Sequence, residues 1–308
     1  MTGIRCHPER SEGSVALGSE MLRCAQHDSA VTLTDSWINL LMTIIAPKEQ
    51  QMIDQPQLPH FGTVLAEGKT KLIYAHPEDE SLAYMVNKDQ ITAGDGVRRN
   101  ELVGKSRWST ITTANVFRLL NDAYIATHFV EQINDVTLLV RRCTMLPIEQ
   151  VQRRIATGSY LKRHPEVSEG TRFEPILVET FLKDDAHHDP QIWPEDIIGM
   201  GLATLSEIEW MAQQGRCVFE TLERAWATVD VTLVDLKIEF GRDKRSDLMV
   251  ADVIDNDSWR LWPGGDKTRM LDKQVYRNLQ TVTEQDMQGI ADRYALVADL
   301  TGKLKPGM

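Results

Sequence analysis

Three features of the chain predict an α+β fold with a small antiparallel β lobe followed by a larger α+β lobe. Between 61 and 142, short runs rich in β-branched and aromatic residues alternate with turn residues. From 206 to 228 and from 283 to 302, apolar residues recur at helical spacing. Between those two helices, 234–240 and 248–252 read as a hairpin.

Taken in order, 63–66, a Glu-Gly turn, 69–74 and 82–86 are expected strands, and 107–122 an expected helix. A strand pair at 129–133 and 137–142 completes the first lobe before Pro147. Beyond Pro147 helices are expected to dominate, at 148–155, 206–228 and 283–302. Thr283-Glu284-Gln285-Asp286 has the form of a capped helix start. The domain division is thus 1–56, 57–146 and 147–308. Residues 1–56 mix Cys, His, Pro, Arg, Ser and Glu without period, and a Gln/Pro-rich stretch, 50–59, separates them from the rest. Two readings stand for them: a disordered or dispensable extension from an early start codon, with Met42 or Met52 as later starts, or an amphipathic arm.

The chain has 308 residues and 42% hydrophobic content, enough for a sizeable core. Its formal net charge of −11 and pI near 5.3 argue against nucleic acid or an anionic membrane as partner. Cys6, Cys24, Cys143 and Cys217 form no Cys-x-x-Cys pair, which argues against a zinc site or disulfide scaffold and fits a reducing cytoplasm. The apolar run 37–46 falls short of the ~20 residues that span a bilayer.

In the hairpin, Val234, Leu236, Ile238 and Phe240 alternate with Asp235, Lys237 and Glu239, so the charged residues share a face. The turn 241–247 returns the chain so that Asp252 reaches about the level of Lys237 and Glu239. A solvated face with cross-strand ion pairs would explain such a strand. Asp252, however, lies in an apolar run, 248–254, where a surface ion pair is an expensive choice. Glu239 and Asp252 are therefore read as ligands of Mg²⁺, which prefers one or two carboxylates completed by water and phosphate oxygens.

Glu67-Gly68-Lys69-Thr70-Lys71 is not a P-loop, because five residues separate Gly62 from Gly68 and the continuation is a strand. It is either a glycine turn lying over phosphates, with Lys69 and Lys71 on one face, or an ordinary exposed hairpin. Arg153, Arg154, Gly158 and Ser159 suit a phosphate monoester, and a basic helix end would look similar. In Lys183-Asp184-Asp185-Ala186-His187-His188-Asp189, adjacent histidines rarely face one metal; a loop is expected, with Lys183 and Asp189 as candidates.

Six blocks, in this order, resemble the phosphoribosylaminoimidazole-succinocarboxamide synthase (SAICAR synthetase) family over about 58–300. They are Glu67 to Lys71, Lys88 to Asp95, Arg154 to Ser159, Lys183 to Asp185, Leu233 to Gly241 and Asp252 to Trp262. The resemblance implies a soluble ligase that joins L-aspartate to the carboxylate of carboxyaminoimidazole ribonucleotide (CAIR), giving SAICAR, ADP and phosphate in purine biosynthesis. It implies two lobes similar to ATP-grasp and kinase architectures, with nucleotide between them. Gly68, Lys69 and Lys71 would contact ATP, and Glu239 and Asp252 would hold Mg²⁺. Thr92, Asp95, Arg153, Ser159 and Arg260 would hold CAIR, the last three at its phosphate. Lys183, Asp189 and Lys237 would lie near the reacting groups. Val253 and Asn256 resemble the animal branch, whose synthase is fused to an AIR carboxylase, here without that second domain, whereas Asp95 resembles the bacterial form. A cytoplasmic location follows, and a homo-oligomer is compatible with the chain.

Two other classes compete. A kinase-type phosphotransferase lacks its His-Arg-Asp and Asp-Phe-Gly motifs here. A non-catalytic nucleotide-binding scaffold would have no need of Lys69, Glu239 and Asp252 together.

Overall fold

The computed structural model describes residues 59–94 and 96–305, which belong to one compact unit, Leu58–Met308. The extension 1–56 and Asp95 lie outside the described residues.

The first sheet is antiparallel, in the order β1 (Val64–Glu67), β2 (Lys71–Ala75), β3 (Leu82–Asn87), β7 (Thr137–Arg141), β6 (Phe129–Gln132). Each strand lies close to its predicted span. Lys69, expected to open the second strand, belongs instead to the turn before it, where Gly68 N–H donates to the Lys71 carbonyl at 2.9 Å. Helix α1 (Lys105–Asp122) buries Val116, Phe117 and Leu120 in one core with Ala83, Met85, Leu138 and Val140. A separate hairpin, β4 (Gln90–Ala93) and β5 (Arg98–Glu101), carries Ile91 into a second core with Leu102, Tyr276, Ile290 and Tyr294.

The second sheet is built around β10 (Val231–Arg242). One edge of β10 pairs with β8 (Thr144–Ile155), which pairs in turn with β9 (Arg172–Leu182). Its other edge is shared, the early half by β12 (Trp259–Pro263) and the late half by β11 (Leu248–Ala251). The predicted hairpin is therefore present, inside a larger sheet than expected.

The helix expected at 148–155 is the long strand β8. Ile148, Val151 and Ile155 mimic helical spacing, but the buried row is Leu146, Ile148, Gln150 and Gln152, whose two glutamines hide the period of two. Gln152 donates to Gln150 at 2.7 Å, and both lie under Gly215 of α4 (Leu205–Ala227), where a side chain would run into the two amides. This close approach seats α4 on the sheet with Val218, Phe219, Leu222 and Trp226 buried. Thr204 caps α4 by accepting from Glu207 N–H while Glu207 reaches back to Thr204 N–H, and Thr283 with Asp286 does the same for α6 (Glu284–Thr301). Shorter helices α2 (Ser159–Arg163), α3 (Pro194–Gly199) and α5 (Gln274–Asn278) complete the described elements, together with two single turns.

Candidate active site

Strand alternation sorts the second sheet into two chemical faces. On β10, Leu236, Ile238 and Phe240 join the core, while Asp235, Lys237 and Glu239 point the other way. Opposite them on β8 stand Arg153, Val151 and Glu149, and beyond these on β9 Leu177, Glu179 and Phe181. Arg260 of β12 pairs with Asp235 from the other side. One sheet face thus carries a row of charges that no single stretch of sequence displays.

At one end of this row, Lys237 donates to Glu239 at 2.6 Å and to Glu149 at 3.1 Å, and Lys183 donates to Glu239 at 2.7 Å. Asp252, directly after β11, accepts from Lys71, which arrives from β2 of the first sheet. Glu239 is only 3% exposed, and Asp252 is largely buried. Burial alone would raise the Asp252 carboxyl, but Lys71, Lys237 and Lys183 outweigh it and hold the group well below the usual carboxylate range. Burial would likewise lower Lys237 and Lys183. Glu239, Glu149 and Asp252 keep Lys237 well above the ordinary lysine value, and Glu239 and Asp252 raise Lys183 against the opposition of Lys237. Three carboxylates, Glu149, Glu239 and Asp252, and three lysines, Lys71, Lys183 and Lys237, therefore form one cluster of opposed charges.

The donor chemistry of Glu239 and Asp252 fits Mg²⁺, which is held by one or two carboxylates plus phosphate oxygens rather than by a protein cage. The surrounding lysines offset the charge of the two carboxylates.

At the other end of the row, Arg153 donates to Glu179 and, at 2.8 Å, to Asp235. Arg163 shares Glu179, and Arg260 shares Asp235. Two buried carboxylates thereby gather three arginines, of which Arg153 lies deepest, 3% exposed, with Arg163 and Arg260 nearer the surface. Gly158 sits over Arg260 with φ 61° and ψ −130°, and any side chain there would come within 2.9 Å of the guanidinium carbon. Ser159 follows as the first residue of α2 and is exposed. Arg153 and Arg260 thus share Asp235, and Ser159 is next in sequence to the glycine that sits over Arg260.

The other predicted residues are more dispersed. Lys69 donates to Asp185 at 2.7 Å, bridging the glycine turn to the loop after β9. Gly68 offers its carbonyl to Lys88 at 3.2 Å, and Lys88 also pairs with Glu67. Asp189 closes the loop 184–189 by accepting Asp184 N–H at 2.8 Å. Thr92 is buried in the β4–β5 hairpin, and the predicted Asp95 follows it outside the described residues.

Glu149, Glu179 and His128 were not anticipated as members of the site. The first two share its face only because β8 and β9 are strands. His128 is buried against Phe117, and its Nε2 lies 2.9 Å from the Asp252 carbonyl. Burial pushes this imidazole down to about 4, so it is neutral at physiological pH.

A sequence model of a family described as SAICAR synthetase matches residues 64–294. The phosphoribosylaminoimidazole-succinocarboxamide synthase of Herpetosiphon aurantiacus is 61% identical over 241 residues, covering 78% of this chain and 98% of the relative. The bifunctional carboxylase/synthetase of Drosophila melanogaster is 47% identical over 252 residues, covering 80% of this chain and 58% of that protein. Among solved structures, the synthase of Ehrlichia chaffeensis superposes with a TM-score of 0.71 at 28% identity, over 79% of this chain and all of that one. A SAICAR synthetase in complex with ADP superposes with a TM-score of 0.70 at 31% identity, over 79% and 99%. With matches of this length and identity, and the charged sheet face in place, the chain belongs to the SAICAR synthetase family.

Proposed function

We propose that this chain joins L-aspartate to CAIR at the expense of ATP, giving SAICAR, ADP and phosphate. The observation that carries the reading is the split sheet face: an arginine cradle at one end and, along the same strands, a lysine–carboxylate cluster at the other. A ribonucleotide held by its phosphate in the cradle extends its base and carboxylate along β10 toward Lys237 and Glu239. An acid–amine ligation needs that arrangement, because a carboxylate must meet the terminal phosphoryl group of ATP before it meets an amine.

In the first step a carboxylate oxygen of CAIR bonds to the γ-phosphorus as the bond to ADP breaks. The neutral amine of aspartate then attacks the acyl carbon, the C–O bond breaks, phosphate leaves, and the nitrogen gives up a proton to solvent. Lys69 and Lys71 are assigned to the phosphates of ATP, with the Gly68 turn beside them. Lys183 and Lys237 offset the charge that develops during transfer, and Asp189 is assigned to the same region. Arg153, Ser159 and Arg260 are assigned to the CAIR phosphate, and Thr92 and Asp95 to the rest of that nucleotide. When bound at Glu239 and Asp252, Mg²⁺ supplies further neutralisation of the phosphoryl oxygens.

The same reading extends to organisation. The lobes 57–146 and 147–308 are proposed to bind nucleotide and substrate respectively, with 1–56 dispensable. No helix among the described residues is long and apolar enough to cross a membrane, and a cytoplasmic location is proposed. A homo-oligomer is compatible with this organisation. Val253 and Asn256 keep their likeness to the animal branch as a property of one block, while over its matched length the chain is nearer the 61% of the Herpetosiphon relative than the 47% of the fly protein.

The test is ADP release with CAIR and each amino acid in turn. Release that requires both CAIR and aspartate supports the ligase; release with either one alone overturns it.

A further inference from the structure

Asp252 has an unusual backbone for its position. It follows β11 with φ 66°, in the left-handed region that residues with a side chain seldom adopt, although Asp tolerates it better than most. The turn removes its carbonyl from the strand ladder, which ends at Ala251. That carbonyl is met by the ring of His128, with Nε2 at 2.9 Å. A carbonyl can only accept, so Nε2 carries the proton and donates it.

His128 is itself fixed on several sides. Its N–H donates to the Val250 carbonyl at 2.9 Å, and Val250 N–H donates to Ala126 at 3.1 Å, so 126–128 lie along β11 as a short parallel bridge. Its carbonyl accepts from Arg141 N–H at 2.6 Å, at the end of β7. Its ring meets Phe117 of α1 edge-on, with centroids 5.5 Å apart. A segment anchored to the first sheet therefore reaches across and grips the strand end that carries Asp252. Lys71, also from the first sheet, grips the carboxylate of the same residue.

We propose that His128 is a positioning residue: its Nε2–H holds the Asp252 carbonyl in the left-handed turn and so aims the Asp252 carboxylate at the metal–nucleotide site. The proposal rests on the reading of Asp252 as a metal ligand. It assigns His128 no contact with substrate or metal; its effect passes through the backbone of Asp252. Loss of the ring donor leaves the turn free to relax toward ordinary dihedrals, which swings the carboxylate away from Glu239.

The test measures Mn²⁺ binding in the presence of ADP by the loss of the free-ion electron paramagnetic resonance signal. Full-length wild type is compared with His128→Leu, His128→Gln and Asp252→Asn, and kcat and KM are measured alongside. Leucine removes the donor; glutamine keeps an N–H near the place of Nε2. His128→Leu is expected to weaken Mn²⁺ binding about three- to tenfold, the range one hydrogen bond commands, and to lower kcat while KM for CAIR stays within about twofold. His128→Gln is expected to recover most of both losses. A packing role alone would not produce that rescue. Wild-type Mn²⁺ affinity in His128→Leu, with binding lost in Asp252→Asn, overturns the positioning role and leaves the metal reading standing. Wild-type affinity in Asp252→Asn overturns the metal reading itself. Should His128→Leu not fold, His128→Asn, whose amide falls short of the carbonyl, replaces it; equal affinities for the Asn and Gln variants then overturn the proposal.

Discussion

Lys71 and Asp252 are bonded side chain to side chain although 181 positions separate them in the chain. The pair joins the glycine hairpin of the first sheet to the edge of the second, at the point proposed above for the nucleotide phosphates and the metal. Replacing Asp252 by Asn keeps its size and removes its charge. If the carboxylate serves the metal, turnover is expected to fall about a hundredfold or more with the fold intact, since charge neutralisation in phosphoryl transfer is worth several kcal/mol. If it serves only as the partner of Lys71, the variant loses stability and keeps near-normal rates at saturating Mg²⁺-ATP. Turnover and urea unfolding of the same preparation separate the two.

How much of this arrangement could be read in advance depended on how far apart the partners lie in sequence. Glu239 and Asp252 were legible because a short hairpin places them and strict alternation of apolar residues marks their face. The helix α4 was legible because apolar residues such as Met211, Val218, Leu222 and Ala225 follow its period. Strand β8 was not, because its inward row includes Gln150 and Gln152, polar residues whose burial is arranged by Gly215, a residue more than sixty positions away in another element. With β8 misread, Glu149 and Glu179 had no face to share with Lys237 and Arg153. His128 gave no signal at all, since a single histidine before a strand acquires meaning only from the carbonyl it meets.

The arginine cradle and the glycine turn should separate the two nucleotides. Arg260→Ala is expected to raise KM for CAIR about ten- to a hundredfold, because a hydrogen bond to a charged group is worth about 1.5–3 kcal/mol, and to leave KM for ATP nearly unchanged. Lys69→Ala is expected to show the opposite bias. Steady-state kinetics with each substrate varied in turn checks both, and equal losses for the two substrates in either variant would count against the assignment.

A further buried charge cluster holds the loop that joins Asp252 to Arg260. Asp257 accepts from Tyr294 at 2.6 Å and from Lys273 at 3.0 Å, and Lys105, itself 2% exposed, lies 3.6 Å away. Burial would raise the Asp257 carboxyl, but Lys105 and Lys273 outweigh it and hold it far below its ordinary 3.8. Asp257→Asn leaves Lys105 buried with a weakened partner and is expected to cost about 3 kcal/mol, the lower end for a broken buried pair because Asp257 keeps some exposure. A carboxyl depressed in the folded state contributes its stability above its unfolded pKa and loses it as pH falls toward the folded one. The difference between wild type and variant should therefore hold steady from neutrality down to about pH 5 and shrink below about pH 4. Urea unfolding across that range is the measurement, and a gap that closes already at neutral pH would show that Asp257 is not the group responsible.

Gly158 tests the cradle without touching a charge. Its dihedrals, φ 61° and ψ −130°, lie in a region that is strained for any residue with a Cβ, and a Cβ there would press on the guanidinium of Arg260. Arg260 has a flexible side chain and could move aside, so the contact alone need not unfold the protein. What it cannot do is move aside and keep its place: Asp235 fixes one nitrogen, and Gln274 lies 3.4 Å from another. Gly158→Ala is therefore expected to raise KM for CAIR, as Arg260→Ala does, while ATP binding is retained, and to lower stability by about 1–3 kcal/mol through the strained backbone. The two effects can be separated by combining the substitutions. In a Gly158→Ala, Arg260→Ala double variant the clash with the guanidinium disappears but the backbone strain remains. The loss in CAIR affinity should then be much less than the product of the single losses, and the stability loss should persist. Fully multiplicative losses in KM would mean that the glycine acts on the substrate independently of Arg260, and the account of this turn as a seat for that arginine would fail.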